Sequence, residues 1–323
     1  MRVLKSFAGA TFTRRAVMRA AVASSLAGAS SSGVMAAVRQ LSVAGDQRRS
    51  REPAINIGLL QMPPVVVHRG SARADIADNL ARLIATLRVT KRTAPITGWL
   101  AAHEHCLTGP LQGCDDSALA VIALDRSGPE VRLLARCVRE LGCYISTSAL
   151  LRSNGPVPGH ANSILMFDPT GRLLDPTVVT ATDLRCAQTR SAAAIFHTRL
   201  GALAFADENA DERAHNALAD AGPRIIVSSG GLHGTAAPGL DRCRRRGIFL
   251  ARIGVATPLG APPHVQWPGG GGTVVMDPAG SIVQADDHGD AGVVFARLPQ
   301  RFAPYGGGQK WWALCGSNAR PTP

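Results

Sequence analysis

Glu104 stands between two histidines in the run Trp99-Leu100-Ala101-Ala102-His103-Glu104-His105, with Leu107-Thr108-Gly109 close behind it. Trp99 to Ala102 reads as a short apolar strand and the glycine-ended stretch as the turn after it, so the carboxylate falls where a strand runs out. At such a position the sheet holds the backbone rigid while the side chain reaches past its edge towards a cleft. A carboxylate held there suits general acid–base chemistry. The flanking histidines do not make it a metal site. Neighbouring strand residues point to opposite faces, so His103 and His105 share a side only with each other, HExxH spacing is absent, and a polar rim around Glu104 is the simpler reading.

Other chemistries lack their residues. The seven cysteines (Cys106, Cys114, Cys137, Cys143, Cys186, Cys243 and Cys315) form no CxxC pair and no zinc-finger spacing. An odd count leaves at least one thiol unpaired within a monomer, while Cys106 and Cys114 are near enough in sequence to bridge in an oxidising compartment, which sequence alone does not decide. Ser228-Ser229-Gly230-Gly231 is not the GxSxG elbow of a serine hydrolase. Gly269 to Gly272 precedes a strand and has no P-loop lysine, so it reads as a turn rather than a phosphate cradle. No cofactor motif is found. Lysine occurs only as Lys5, Lys91 and Lys310, and arginine, which keeps its proton at accessible pH, supplies every other cation. The middle of the chain therefore has no titratable amine.

Lys+Arg exceeds Asp+Glu by 35 to 23, but Arg2, Lys5, Arg14, Arg15 and Arg19 all fall in the first 37 residues, which hold no acid. Without them the balance is 30 to 23, or +7, spread along the chain with few aromatics and no basic stripe, which argues against nucleic-acid binding. Thr13-Arg14-Arg15-Ala16-Val17-Met18-Arg19 followed by a short apolar run and small residues looks like a twin-arginine export signal over residues 1–37, with the export machinery as partner and the periplasm or exterior as destination. Its apolar part is too short and too rich in Ser and Gly for a stable membrane span. Residues 38–53 read as a polar linker, 54–305 as one folded domain and 306–323 as a tail, where Trp311-Trp312 is expected to pack.

The elements that must position Glu104 alternate between strand and helix. Ile55 to Gln61 predicts a first strand, and Ala74 to Val89, with Ile76, Leu80, Leu83, Ile84 and Leu87 at helical spacing, a helix. A second helix is predicted over Val131 to Leu141, then strands at Cys143 to Ser148 and Ser163 to Phe167, the latter closed by Asp168-Pro169-Thr170-Gly171. Ala202 to Phe205 and Ile225 to Ser228 read as strands around a helix from Glu212 to Ala221. A further helix and strand run through Cys243 to Val255, and Thr273 to Met276 is closed by Asp277-Pro278-Ala279-Gly280 before Ile282-Val283. The two DPxG turns predict two hairpins.

This order, with the Gln61 strand end, the Leu100 to Gly109 segment, Asn162-Ser163 with Asp168-Pro169, the Gly201-Ala202-Leu203-Ala204 strand and the closing Asp277 turn, resembles the carbon–nitrogen hydrolase superfamily of nitrilases and aliphatic amidases. The resemblance covers most of residues 54–300. It implies an α/β fold, a four-layer αββα sandwich, often assembled as a homo-oligomer. It also implies a Glu base, a Lys that stabilises the tetrahedral intermediate and a Cys nucleophile that attacks an amide or nitrile carbon. Glu104 matches the base, although His103 replaces the usual proline before it. The lysine position falls at or near Val179. The cysteine position is Phe205 or Ala206, and the acid two residues on survives as Asp207 or Glu208. Cys186 lacks such an acid and a strand-end setting, so it does not replace the missing nucleophile. Arg242 and Gly247 match a frequent family pattern, whereas Arg245 stands where Glu is common. The expectation is a family member with impaired catalysis that binds a small amide- or nitrile-like ligand; the alternative is a hydrolase in which Glu104 with Asp207 or Glu208 activates water.

Overall fold

Apolar residues on both faces of a strand require cover on both sides, and the first strands of this chain are of that kind. The computed structural model describes residues 40–41, 54–104, 106–110, 114–152, 159–180, 193–206, 212–229, 240–256, 272–286 and 291–299. In chain order the elements are β1 (Gln40–Leu41), β2 (Ala54–Gln61), α1 (Ala72–Thr93), β3 (Trp99–Ala102), α2 (Asp116–Ile122), α3 (Pro129–Leu141), β4 (Tyr144–Arg152), β5 (His160–Phe167), β6 (Thr177–Thr180) and β7 (Ala193–Thr198). They continue with β8 (Gly201–Ala206), α4 (Glu212–Asp220), β9 (Ile225–Ser229), α5 (Leu240–Arg246), β10 (Phe249–Ile253), β11 (Thr273–Met276), β12 (Ile282–Asp286) and β13 (Gly292–Pro299).

The strands make two sheets, in the orders β1-β13-β2-β3-β4-β5 and β12-β11-β10-β9-β8-β7-β6. Each has a parallel centre, β2-β3-β4 in one and β8-β9-β10 in the other, flanked by antiparallel neighbours. Three apolar layers separate four strata. Ile76, Leu80, Leu83 and Leu87 of α1 and Leu134 and Val138 of α3 pack on Leu100, Ile145 and Leu165 of the first sheet. Between the sheets lie Ile57, Leu59, Trp99, Tyr144, Phe196, Phe205, Phe249 and Val275. On the far side Ala204, Ala206, Ile226 and Leu250 meet Ala214 and Leu218 of α4 and Cys243 of α5. The architecture is the expected αββα sandwich. Odd and even residues of β3 divide cleanly between layers, with Trp99 and Ala101 inward and Leu100 and Ala102 towards the helices.

Two readings change. The second DPxG turn closes a true hairpin, with β11 and β12 antiparallel and Ser281 N donating to Asp277 Oδ1 at 2.8 Å. The first does not: after Gly171 the chain returns only through a bridge between Phe167 and Leu173, and β6 then pairs with β7 in the other sheet. Gly171 is needed there, because φ is +79° and a Cβ would come within 2.3 Å of Ala135 O on α3. β1, inside the stretch expected as a linker, pairs parallel with β13.

A candidate active site at the carboxyl end of the first sheet

The parallel strands β2 and β3 end side by side, while β4 runs on past them to Arg152. Leu60 pairs with Ala102 and Ala101 with Ser146, so one step further that end of the sheet carries Gln61, His103 and Ser148, all buried. Gln61 faces the second sheet, where its Oε1 accepts from Thr273 Oγ1 at 2.8 Å, and Thr273 Oγ1 accepts from Gly254 N at 3.0 Å. This bridge ties the two sheets together at the site's end of the sandwich. Leaving such buried groups unpaired would cost about 1–3 kcal/mol.

Glu104 follows directly on β3 and is 6% exposed. Its Oε1 accepts a short hydrogen bond from Asn162 Nδ2 on β5, and its backbone oxygen accepts from His103 Nδ1, since a carbonyl can only accept. The turn behind it is fastened at successive residues. Cys106 Sγ lies 2.8 Å from Thr147 Oγ1, Thr108 Oγ1 accepts from Leu150 N at 3.2 Å, and Leu107 O accepts from Asn79 Nδ2 at 3.2 Å. Asn79 also binds both backbone groups of Val65, donating to its oxygen at 3.1 Å and accepting from its nitrogen at 2.6 Å. Gly109 has φ +68° and would place a Cβ 2.9 Å from Val65 O. Asn79 was not singled out by sequence reasoning, although its sign is visible: an amide on the buried face of α1, between Ile76 and Leu80.

The cysteine beside Glu104 is not a nucleophile. Burial among apolar side chains pushes the Cys106 thiol up to about 12, against a weaker opposing effect of Thr147, and a thiol held protonated does not attack. Cys106 and Cys114 are both free thiols, so the bridge that their spacing allowed does not form.

The end of β8 is different in kind. Phe205 is buried between the sheets with its ring edge-on to Trp99 at 5.8 Å and to Phe196 at 5.6 Å. Ala206, one residue on, packs with Ala214 and Leu218 on the helix side. The one-residue ambiguity at the expected cysteine position thus resolves into two faces, neither of which carries sulfur. Val179 falls in β6 at a bulge, where Val178 pairs with Ala194 and Thr180 with Ala193. Lys91 donates to Pro95 O at 2.7 Å and Thr97 O at 2.6 Å, ahead of β3 and so at the opposite end of that strand from Glu104. Asp207, Glu208, His105 and Cys186 lie outside the described residues. Among the described residues no group of three or more His, Cys, Asp or Glu side chains could hold a metal ion, and no helix is long and apolar enough to cross a membrane.

No protein-family model matches the sequence, and no curated protein does. Solved structures do. The chain is similar to an amidase from Nesterenkonia sp., with 17% identity, 78% of this chain and 92% of that chain covered, and a TM-score of 0.56. A cysteine-to-alanine mutant of the Nesterenkonia AN1 amidase, of the nitrilase superfamily, matches with 16% identity over 77% and 92% of the two chains and a TM-score of 0.57. A mutant of the same amidase with the acetamide moiety of fluoroacetamide added covalently at its active-site cysteine matches with 15% identity over 78% and 92%, and a TM-score of 0.53. The fold is the one these amidases have.

Proposed function

We propose that this chain is an exported, oligomeric carbon–nitrogen hydrolase-like protein, led by the twin-arginine-type segment over residues 1–37, that does not carry out ordinary amide or nitrile hydrolysis and instead binds a small amide- or nitrile-like ligand beside Glu104. Acyl transfer from an amide needs a nucleophile to form the new carbon bond and a cation or donor to stabilise the oxyanion that results. The observation that carries the reading is Phe205. At the strand end where the nucleophile is expected, the side chain is an aromatic packed against two others, not a group in reach of a reacting carbon. The base position, by contrast, keeps its carboxylate, buried and hydrogen-bonded. What remains is a cluster of polar groups around Glu104 that can hold a ligand without completing the covalent step. The amidase structures of the same fold, one of them described with the acetamide moiety of fluoroacetamide added covalently at its active-site cysteine, support the amide class of ligand.

The test is ammonia release from short amides and nitriles by the purified protein, run beside Glu104→Gln. No release above the buffer rate is expected from either. Release that disappears in Glu104→Gln would overturn the proposal in favour of a hydrolase whose site is rebuilt around Glu104 with Asp207 or Glu208.

A further inference from the structure

We infer that Asn162 is the residue that sets ligand specificity beside Glu104, by selecting molecules that carry an N–H over those of the same shape that lack one. The inference rests on the reading of the Glu104 strand end as a ligand site. Asn162 sits on β5 opposite Leu150, two and four residues ahead of Ile164 and Met166, both of which pack between the sheets, so alternation turns it to the same side. Its Nδ2 donates to Glu104 Oε1. That contact also fixes which way the amide lies, because a carboxylate oxygen only accepts: the nitrogen must face Glu104 and the carbonyl must point away from it.

The Oδ1 so placed is buried and has no partner among the described residues. A buried carbonyl oxygen without a donor is unfavourable, and a hydrogen bond brought by a ligand relieves it. The ligand group that meets it must therefore be a donor. A primary amide supplies an N–H. A nitrile offers only a lone pair and would set acceptor against acceptor, and a ketone of the same outline offers nothing. Asn162 thus divides the two ligand classes that the fold alone leaves together, and favours the amide. The same residue positions Glu104 through its other end, so the carboxylate and the selecting carbonyl are held as one unit.

The experiment compares propionamide, butan-2-one and propionitrile as ligands of the full chain, by titrating the shift in melting temperature. Butan-2-one replaces the amide nitrogen with a methyl group at nearly constant shape. The wild type is expected to bind propionamide at least ~10-fold more tightly than either of the others, the discrimination of one buried hydrogen bond. In Asn162→Leu, similar in volume but without the acceptor, the three affinities are expected to fall within about threefold of one another, since what is lost is the hydrogen bond and not the shape. A wild type that binds ketone and amide alike, or does not bind propionamide, overturns the inference, as does an Asn162→Leu protein that keeps the tenfold preference. The wild-type comparison stands without the variant if the variant does not fold. Ammonia measured in the same samples separates the two readings: release from propionamide sinks the absence of hydrolysis but leaves the preference intact, whereas equal affinities sink the preference alone.

Discussion

The ends of β3 and β8 are the same kind of place, each the carboxyl end of a strand in the parallel centre of its sheet, yet they have been filled by opposite physical means. Past β3 the chain keeps polar groups buried and pairs nearly all of them, with Asn162 on the Glu104 side chain, His103 on its backbone and Asn79, Thr108 and Thr147 behind it, and with Asn162 Oδ1 an exception among the described residues. At β8 the chain buries aromatic and aliphatic surface, Phe205 on one face and Ala206 on the other. A buried polar group that is fully paired is retained at some expense in stability relative to an apolar core, whereas an aromatic in a T-shaped cluster adds to stability outright. The first strand end has the physics of a site and the second that of a core. Two equivalent places in one fold are thus packed in two different ways.

The comparison breaks most easily at Phe205. Phe205→Ala removes a ring that meets both Trp99 and Phe196, and is expected to destabilise the protein by about 3–5 kcal/mol in urea unfolding. A loss below about 1 kcal/mol would show that Phe205 lines an open recess and that the two strand ends are alike after all. A smaller effect is expected from Thr273→Val, which removes the hydroxyl bridging Gln61 Oε1 and Gly254 N while keeping the shape. The expected loss is about 1–3 kcal/mol, and an unchanged unfolding midpoint would mean that the polar end is not held by that bridge.

At neutral pH no change is expected from the titration of the thiol behind Glu104, and its effect appears only in alkali. An unperturbed cysteine ionises near 9.0 and folded Cys106 only at about 12, so between those values the unfolded chain gives up a proton that the folded chain keeps. The contribution is whole below pH 9 and is lost as pH rises towards 12, by up to about 1.4 kcal/mol per pH unit. Stability measured with reductant should decline over that range, and Cys106→Ala should make the decline shallower. An identical slope would place the thiol in contact with water.

Much of this was legible in the chain. Helical spacing in α1 and α3 and the apolar runs of β2, β3, β8, β10 and β11 were placed within a few residues, because each buries its own periodic face. α2 escaped because its seven residues make fewer than two turns and bury only Leu119 and Ile122, and its start shows only in the cap, where Asp115 Oδ1 accepts from Ala118 N at 2.7 Å. β13 escaped because its partner is remote: it completes the first sheet by pairing with β2, more than two hundred residues earlier. The same limit applied at the site. Glu104 could be named from its strand end, but not Asn162, whose role depends on β5 lying at the sheet edge beside it.

The sequence by itself determined which side chains exist to do chemistry: a carboxylate at residue 104, no lysine between residues 91 and 310, and phenylalanine and alanine at residues 205 and 206. Local periodicity added the strands and helices that carry them. Only the tertiary structure decided that Phe205 turns inward while Ala206 turns outward, that Cys106 is sealed as a thiol, and that Asn162 reaches Glu104. Those outcomes depend on which faces meet across the sheets and on how much water is excluded, and both are properties of the packed layers rather than of any stretch of chain.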